Sequence, residues 1–144
     1  MKKNILLITI PIVVIIFSVL GLLITKNTTI KNIKRKNSEY EYYLGRVIYG
    51  TEVTTVINKA INENEKNNIL KDEKNYYIEN ETDSIKVEIK MLSTGKTYSM
   101  ETIYNNDITK FVQNFNLIKF KCTSIEYHKD SWRVSKMVFE EVEE

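Results

Sequence analysis

The chain has 144 residues, 42% hydrophobic and 28% charged, with a formal net charge of +2 and a single Cys, His and Pro. It is too apolar and too rich in Tyr, Ile and Val for a disordered chain, too poor in cysteine for a disulfide scaffold, and of a length for one domain with its termini. One His and one Cys cannot build a His/Cys metal site or a catalytic triad, so no metal, no other cofactor and no enzymatic activity are expected.

Residues 4–25 carry no charge and are mostly Ile, Leu and Val. At about 1.5 Å per helical residue this stretch covers a hydrocarbon core of about 30 Å, so a membrane-spanning helix is expected, with residues 5–25 in contact with lipid. Pro11 falls inside the span, where a lipid-embedded helix tolerates it with a kink. Lys2 and Lys3 also suit the basic tip of a cleaved signal. The apolar stretch exceeds the roughly 7–15 residues of such signals, however, and no small-residue cleavage site follows, which favours an uncleaved anchor. The flanking charges conflict over orientation. Lys26, Lys31, Lys34, Arg35 and Lys36 argue for a cytoplasmic C-terminal part, whereas a short basic tip running straight into an apolar helix reads as the start of an export signal. The expectation taken is a single-pass protein whose C-terminal domain is extracytoplasmic, with a cytoplasmic adaptor as the alternative.

Residues 26–39 form a basic, solvated stem whose charges suit the headgroup level of anionic lipid. Tyr40, Tyr43, Leu44, Val47 and Ile48 then recur at spacings of three and four, as do Val53, Val56, Ile57, Ala60 and Ile61, and both sets predict amphipathic helix. At 100° per residue the two stripes lie on nearly opposite sides of one continuous helix. A kink or break at Gly50 is therefore expected, with Thr51 able to cap a second helix over 51–62 that ends within 62–68.

Period-two alternation comes next. Ile85, Val87, Ile89 and Met91 predict a strand with one buried face; 93–96 predicts a turn; Tyr98, Met100, Thr102 and Tyr104 predict the return strand, with Met91 opposite Tyr98 and Ile89 opposite Met100. Asn106 or Asp107 caps a short helix carrying Ile108, Phe111, Val112 and Phe115. A second hairpin joins 117–127 to 132–142 with Tyr127 opposite Trp132, and its apolar face changes parity midway in both strands, which predicts a strongly twisted ribbon. A small extra strand is placed at 76–78. The expected fold is α+β: a transmembrane anchor (1–25), a stem with an amphipathic helix (26–50), and a small domain (51–144) with four antiparallel strands in two hairpins flanking a short helix.

No catalytic constellation stands out. His128 is expected to be an exposed turn residue and Cys122 a buried, inert thiol. Glu39 and Glu41, like Glu63 and Glu65, are two apart on helix and do not share a face. The four glycines are scattered, so no phosphate-binding loop exists, and 27–29 and 80–82 match the N-glycosylation pattern only weakly in a chain this rich in Asn and Thr. Once Lys2 and Lys3 are set aside, basic and acidic residues are equal in number, which argues against nucleic acid. The Tyr40, Tyr43, Leu44, Val47 and Ile48 stripe, left without an evident internal partner, is the expected contact surface. A ligand pocket lined by Tyr98, Met100 and Trp132 is the alternative site.

A short basic tip, an apolar helix continuing into an amphipathic one and a C-terminal antiparallel sheet together resemble the layout of pilin-like proteins. Gly50-Thr51 before a Val-rich helix also resembles a feature of small single-span proteins of low-GC bacteria. Asn4-Ile5 differs from the Gly/Phe processing site of type IV prepilins, and the span has no buried glutamate. The resemblance implies a non-enzymatic assembly subunit of a pilus or secretion apparatus that works through a protein partner or self-association. A small ligand-binding or sensory domain is the competing expectation.

Overall fold

The computed structural model describes residues 2–106 and 108–143, with side chains from residue 12 onward. The proposed cap at Asp107 lies outside the described residues. Two compact units divide at residues 35 and 36.

The first helix, α1, runs Lys2–Glu41 and continues through Pro11. Its apolar side chains from Ile12 to Ile24 are exposed, and by length and composition it can cross a membrane. The hydroxyls of Ser18, Thr28 and Thr29 bond the carbonyls of Val14, Ile24 and Thr25, one turn back, at 2.8–3.0 Å. These hydroxyls are thereby satisfied within the helix.

The second unit is α+β, built on a five-stranded mixed sheet in the order β1-β4-β5-β2-β3. Its strands are β1 (Val47–Tyr49), β2 (Lys86–Met91), β3 (Lys96–Ser99), β4 (Lys119–Tyr127) and β5 (Val134–Glu141). Three helices intervene: α2 (Gly50–Lys66), α3 (Met100–Asn105) and α4 (Ile108–Phe115). The expected all-antiparallel, four-stranded sheet is thus corrected in two respects. There is a fifth strand, and the two hairpins join through a parallel pairing of β2 with β5. β5 lies in the middle, with Val134, Met137 and Phe139 buried on the core face and Val138 buried on the other, between Lys136 and Glu140.

β1 replaces the helix expected over 40–48. Gly45 has φ +73°, a left-handed conformation that turns the chain after Glu41, and its N–H bonds the Cys122 carbonyl at 2.8 Å. Val47, Ile48 and Tyr49, β-branched and aromatic, then pair with Lys121, Phe120 and Lys119. The break near Gly50 is present as the start of α2, but its cap is Tyr49 rather than Thr51, with Glu52 Oε2 accepting from the Tyr49 N–H at 3.2 Å. Gly50 is required by space: a Cβ there would lie 2.0 Å from the Phe115 carbonyl oxygen.

The first hairpin forms two residues out of the expected register, with Met91 opposite Lys96 and Ile89 opposite Tyr98. Gly95, at φ +66°, closes the turn one residue earlier than expected. The return strand stops at Ser99, whose Oγ accepts from the Thr102 N–H at 3.2 Å and caps α3, so Met100, Thr102 and Tyr104 are helical. The 76–78 segment contributes an isolated bridge, Lys71 with Tyr77.

The parity change in the second hairpin has a specific origin. Cys122 pairs with Phe139, Ser124 with Val138 and Ile125 with Met137, so Thr123 is an extra residue in β4. Between the Glu126 pairing with Lys136 and the Tyr127 pairing with Val134, Ser135 is an extra residue in β5. One bulge on each strand shifts the register by one and then restores it, which keeps Phe120, Cys122, Val134, Met137 and Phe139 buried.

The core lies between α2 and one sheet face. Val53, Val56, Ile57, Ala60 and Ile61 of α2 are buried with Val87, Ile89, Met91, Met137 and Phe139, each large side chain contributing about 1.5–3 kcal/mol by burial. The opposite face is a charge lattice. Lys121 pairs across to Glu140 and Glu140 to Lys90, with Lys90 Nζ 2.8 Å from Glu140 and Lys136 Nζ 3.0 Å from Glu88.

Candidate functional site

Three places in the folded unit merit description as sites: the β1 edge, a cavity under Tyr40, and a groove between α3 and α4.

The expected contact stripe does not survive as one face. Tyr40 and Ile48 are buried in the core and Tyr43 packs against it, its ring 6.4 Å from that of Phe139. Leu44 (50% exposed) and Val47 (52% exposed) face outward, and Tyr42 and Tyr49, not among the expected set, join them as exposed side chains. The reason lies in strand alternation: with Ile48 turned to the core, Val47 and Tyr49 must turn away from it. Arg46 sits over the Tyr42 ring at 3.9 Å. β1 is an edge strand. Cys122 N–H bonds the Arg46 carbonyl at 3.2 Å and Gly50 N–H bonds the Ile118 carbonyl at 3.0 Å, so alternation directs the main-chain groups of Val47 away from β4.

Tyr40 closes a cavity of about 30 Å³, lined also by Lys36, Asn37, Lys59, Glu63 and Arg133. Its charges are paired: Lys36 Nζ with Glu63 at 2.6 Å, Lys59 with Glu39, and Arg133 with Asp83. Burial pushes Glu63 upward, but the hydrogen bond and charge of Lys36, with Lys66 adding to them, hold it below the usual carboxylate range. Burial raises the Tyr40 phenol, and Glu63 and Glu39 push it the same way. Tyr40 Oη is buried without a protein partner, and the cavity has the size for water rather than an organic ligand. Asn37 borders it, donating to the Trp132 carbonyl at 2.7 Å and accepting from the Val134 N–H at 3.2 Å.

The pocket expected from Tyr98, Met100 and Trp132 is not assembled. Met100 is fully buried, and Trp132 is 71% exposed in the β4–β5 turn with φ +59°. Tyr98 pairs with Ile89 and through it lies level with Phe139, well up β5 from Trp132. Tyr98 does line a groove of about 290 Å³ with Thr102, Ile103, Asn106, Lys110, Phe111, Asn114 and Phe115. Its floor is apolar, and the Phe111 and Phe115 ring centroids are 4.9 Å apart.

His128 is buried rather than exposed, its Nε2 donating to the Ser84 carbonyl at 2.7 Å. The loop over 80–84 folds across the β4–β5 turn, Ser131 Oγ bonding the Thr82 carbonyl at 2.5 Å. That loop is shaped by Asn80, whose Oδ1 accepts from the N–H groups of Thr82, Asp83 and Ser84 at 2.7–3.1 Å. Cys122 is fully buried, and burial pushes its thiol up to about 11, against a weaker opposing hydrogen bond with Ser124, so it is protonated at neutral pH. Glu101 is buried too, with Oε2 lacking a protein partner. No group of three or more His, Cys, Asp or Glu side chains is placed to hold a metal among the described residues. No family model, no curated protein and no solved structure matches the chain.

Proposed function

We propose that the chain is a single-span membrane protein, anchored by α1, whose folded unit lies on the extracytoplasmic side and works through protein–protein contact at β1. The observation that carries this reading is the set Tyr42, Leu44, Val47 and Tyr49, each about half exposed, on or beside a strand whose outer edge is unpaired. Soluble domains blunt such edges with charge, or cover them. Here the outward side chains of the strand are Val and Tyr, while the charged residues are gathered on the neighbouring strands. The partner is a chain that adds an extended segment to β1, with main-chain bonds to Val47 and apolar contact with Leu44 and Tyr49. The succession of an apolar helix and a sheet-bearing unit supports a pilin-like or secretion-apparatus subunit as the class of assembly.

The test is the double variant Leu44→Glu with Val47→Glu, made in the full chain in membranes and followed by crosslinking. Both side chains are exposed, so folding should be kept, as checked by circular dichroism. Loss of the crosslinked assembly is expected. An assembly of unchanged size around a folded variant overturns the reading.

A further inference from the structure

The groove between α3 and α4 differs in kind from the cavity under Tyr40. There every charge has a partner and the space is water-sized; here the space is close to the lower range of small-molecule pockets, about 300 Å³, and among the described residues its lining carries one cation and no anion. Ile103 and Phe111 form a buried floor, and the rings of Phe115 and Tyr98 pack against the same core at its sides. The polar lining consists of Thr102, Asn106, Asn114 and Lys110. The Thr102 hydroxyl is already committed, to Tyr76 Oη at 2.9 Å and Ser99 Oγ at 3.1 Å, which leaves two amides and one ammonium to address a ligand. Among the described residues Lys110 is the one charged side chain in the lining, and it is exposed at the rim.

We infer that this groove binds a small amphiphilic carboxylate with an aromatic body. The ring lies on Ile103 and between Phe111, Phe115 and Tyr98, where offset and edge-on ring contacts add to burial. The carboxylate meets Lys110, and an amide of Asn106 or Asn114 donates to its second oxygen, a charge-assisted arrangement stronger than a neutral hydrogen bond. A cation is disfavoured by Lys110 and a fully apolar molecule leaves the amides unanswered. This inference is independent of the contact surface on β1.

The experiment uses the full chain in nanodiscs of zwitterionic lipid, with labelled isoleucine methyl groups, titrated with phenylacetate and, in parallel, with phenylacetamide. Saturable shifts of the Ile103 methyl are expected with phenylacetate, and binding about tenfold weaker for the neutral amide. Lys110→Gln, at an exposed position that leaves the core intact, should weaken phenylacetate by about tenfold while leaving phenylacetamide unchanged. Lys119→Gln, outside the groove, should change neither. Absence of a saturable shift at Ile103, equal binding of the two probes, or equal phenylacetate binding by the Lys110 variant overturns the inference.

Discussion

Asn64 sits on the buried face of α2 and acts as a clamp: its Nδ2 donates to the Ile85 carbonyl and its Oδ1 accepts from the Ile85 N–H, both at 2.8 Å. The two bonds imitate a strand pairing at the point where the chain enters β2. Truncation leaves two buried main-chain groups without partners, each costing about 1–3 kcal/mol, so Asn64→Ala should lower stability by about 2–6 kcal/mol. Asn67→Ala, which removes only a part-buried bond to the Asp83 carbonyl at 3.3 Å, should cost under about 1 kcal/mol. Urea denaturation of the full chain in nanodiscs, followed by far-ultraviolet circular dichroism, checks both. The clamp is not legible in the sequence, because Asn64 falls in an amide-rich stretch that reads as a helix end. The burial of His128 is hidden in the same way, since its partner is 44 residues away on a loop with no periodicity of its own. The buried state of Cys122, by contrast, accords with its place on the face shared with Phe120.

At the level of elements, α2 is the clearest reading of the pattern, because its apolar stripe answers to helix periodicity and to nothing else. β1 is the opposite case. Tyr40, Tyr43, Leu44, Val47 and Ile48 have helical spacing, yet the turn with left-handed Gly45 leaves Tyr40 at a helix end, Tyr43 and Leu44 between elements, and Val47 and Ile48 on a strand. Spacing cannot distinguish these when a turn falls inside the window. The parity change in β4 and β5 is visible in the sequence, but it reports two bulges as well as any twist. Deleting Thr123 removes the first of them and leaves Cys122 opposite Phe139, Ser124 opposite Val138 and Ile125 opposite Met137, each on its present face. A change of under about 1 kcal/mol is therefore expected for the deletion, and Thr123→Val should stay within about 0.5 kcal/mol. A deletion variant that loses about 3 kcal/mol or more in urea denaturation would show that Thr123 is not merely an extra residue in the strand.

For the whole molecule, the long apolar helix and the α+β character of the folded unit are both legible in the sequence, because each rests on composition and on periods sustained over many residues. The joining of two hairpins by a parallel pairing is not, since nothing local encodes which strand lies beside which. Orientation is the property on which the proposed role turns. Alkaline phosphatase fused after Glu144 should be active and a fluorescent protein at the same point dark; fluorescence alone would place the folded unit in the cytoplasm and leave an adaptor there.

The central place of β5 sets an order of events in time. β1 and β4 lie to one side of it and β2 and β3 to the other, so the two halves of the sheet share no strand until residues 134–141 have been made. The pairing of β2 with β5 spans about 50 residues and closes a long loop, a slow step that earlier translation cannot begin. In a nascent chain the two halves of the sheet therefore stay apart until nearly all of the folded unit has been synthesised.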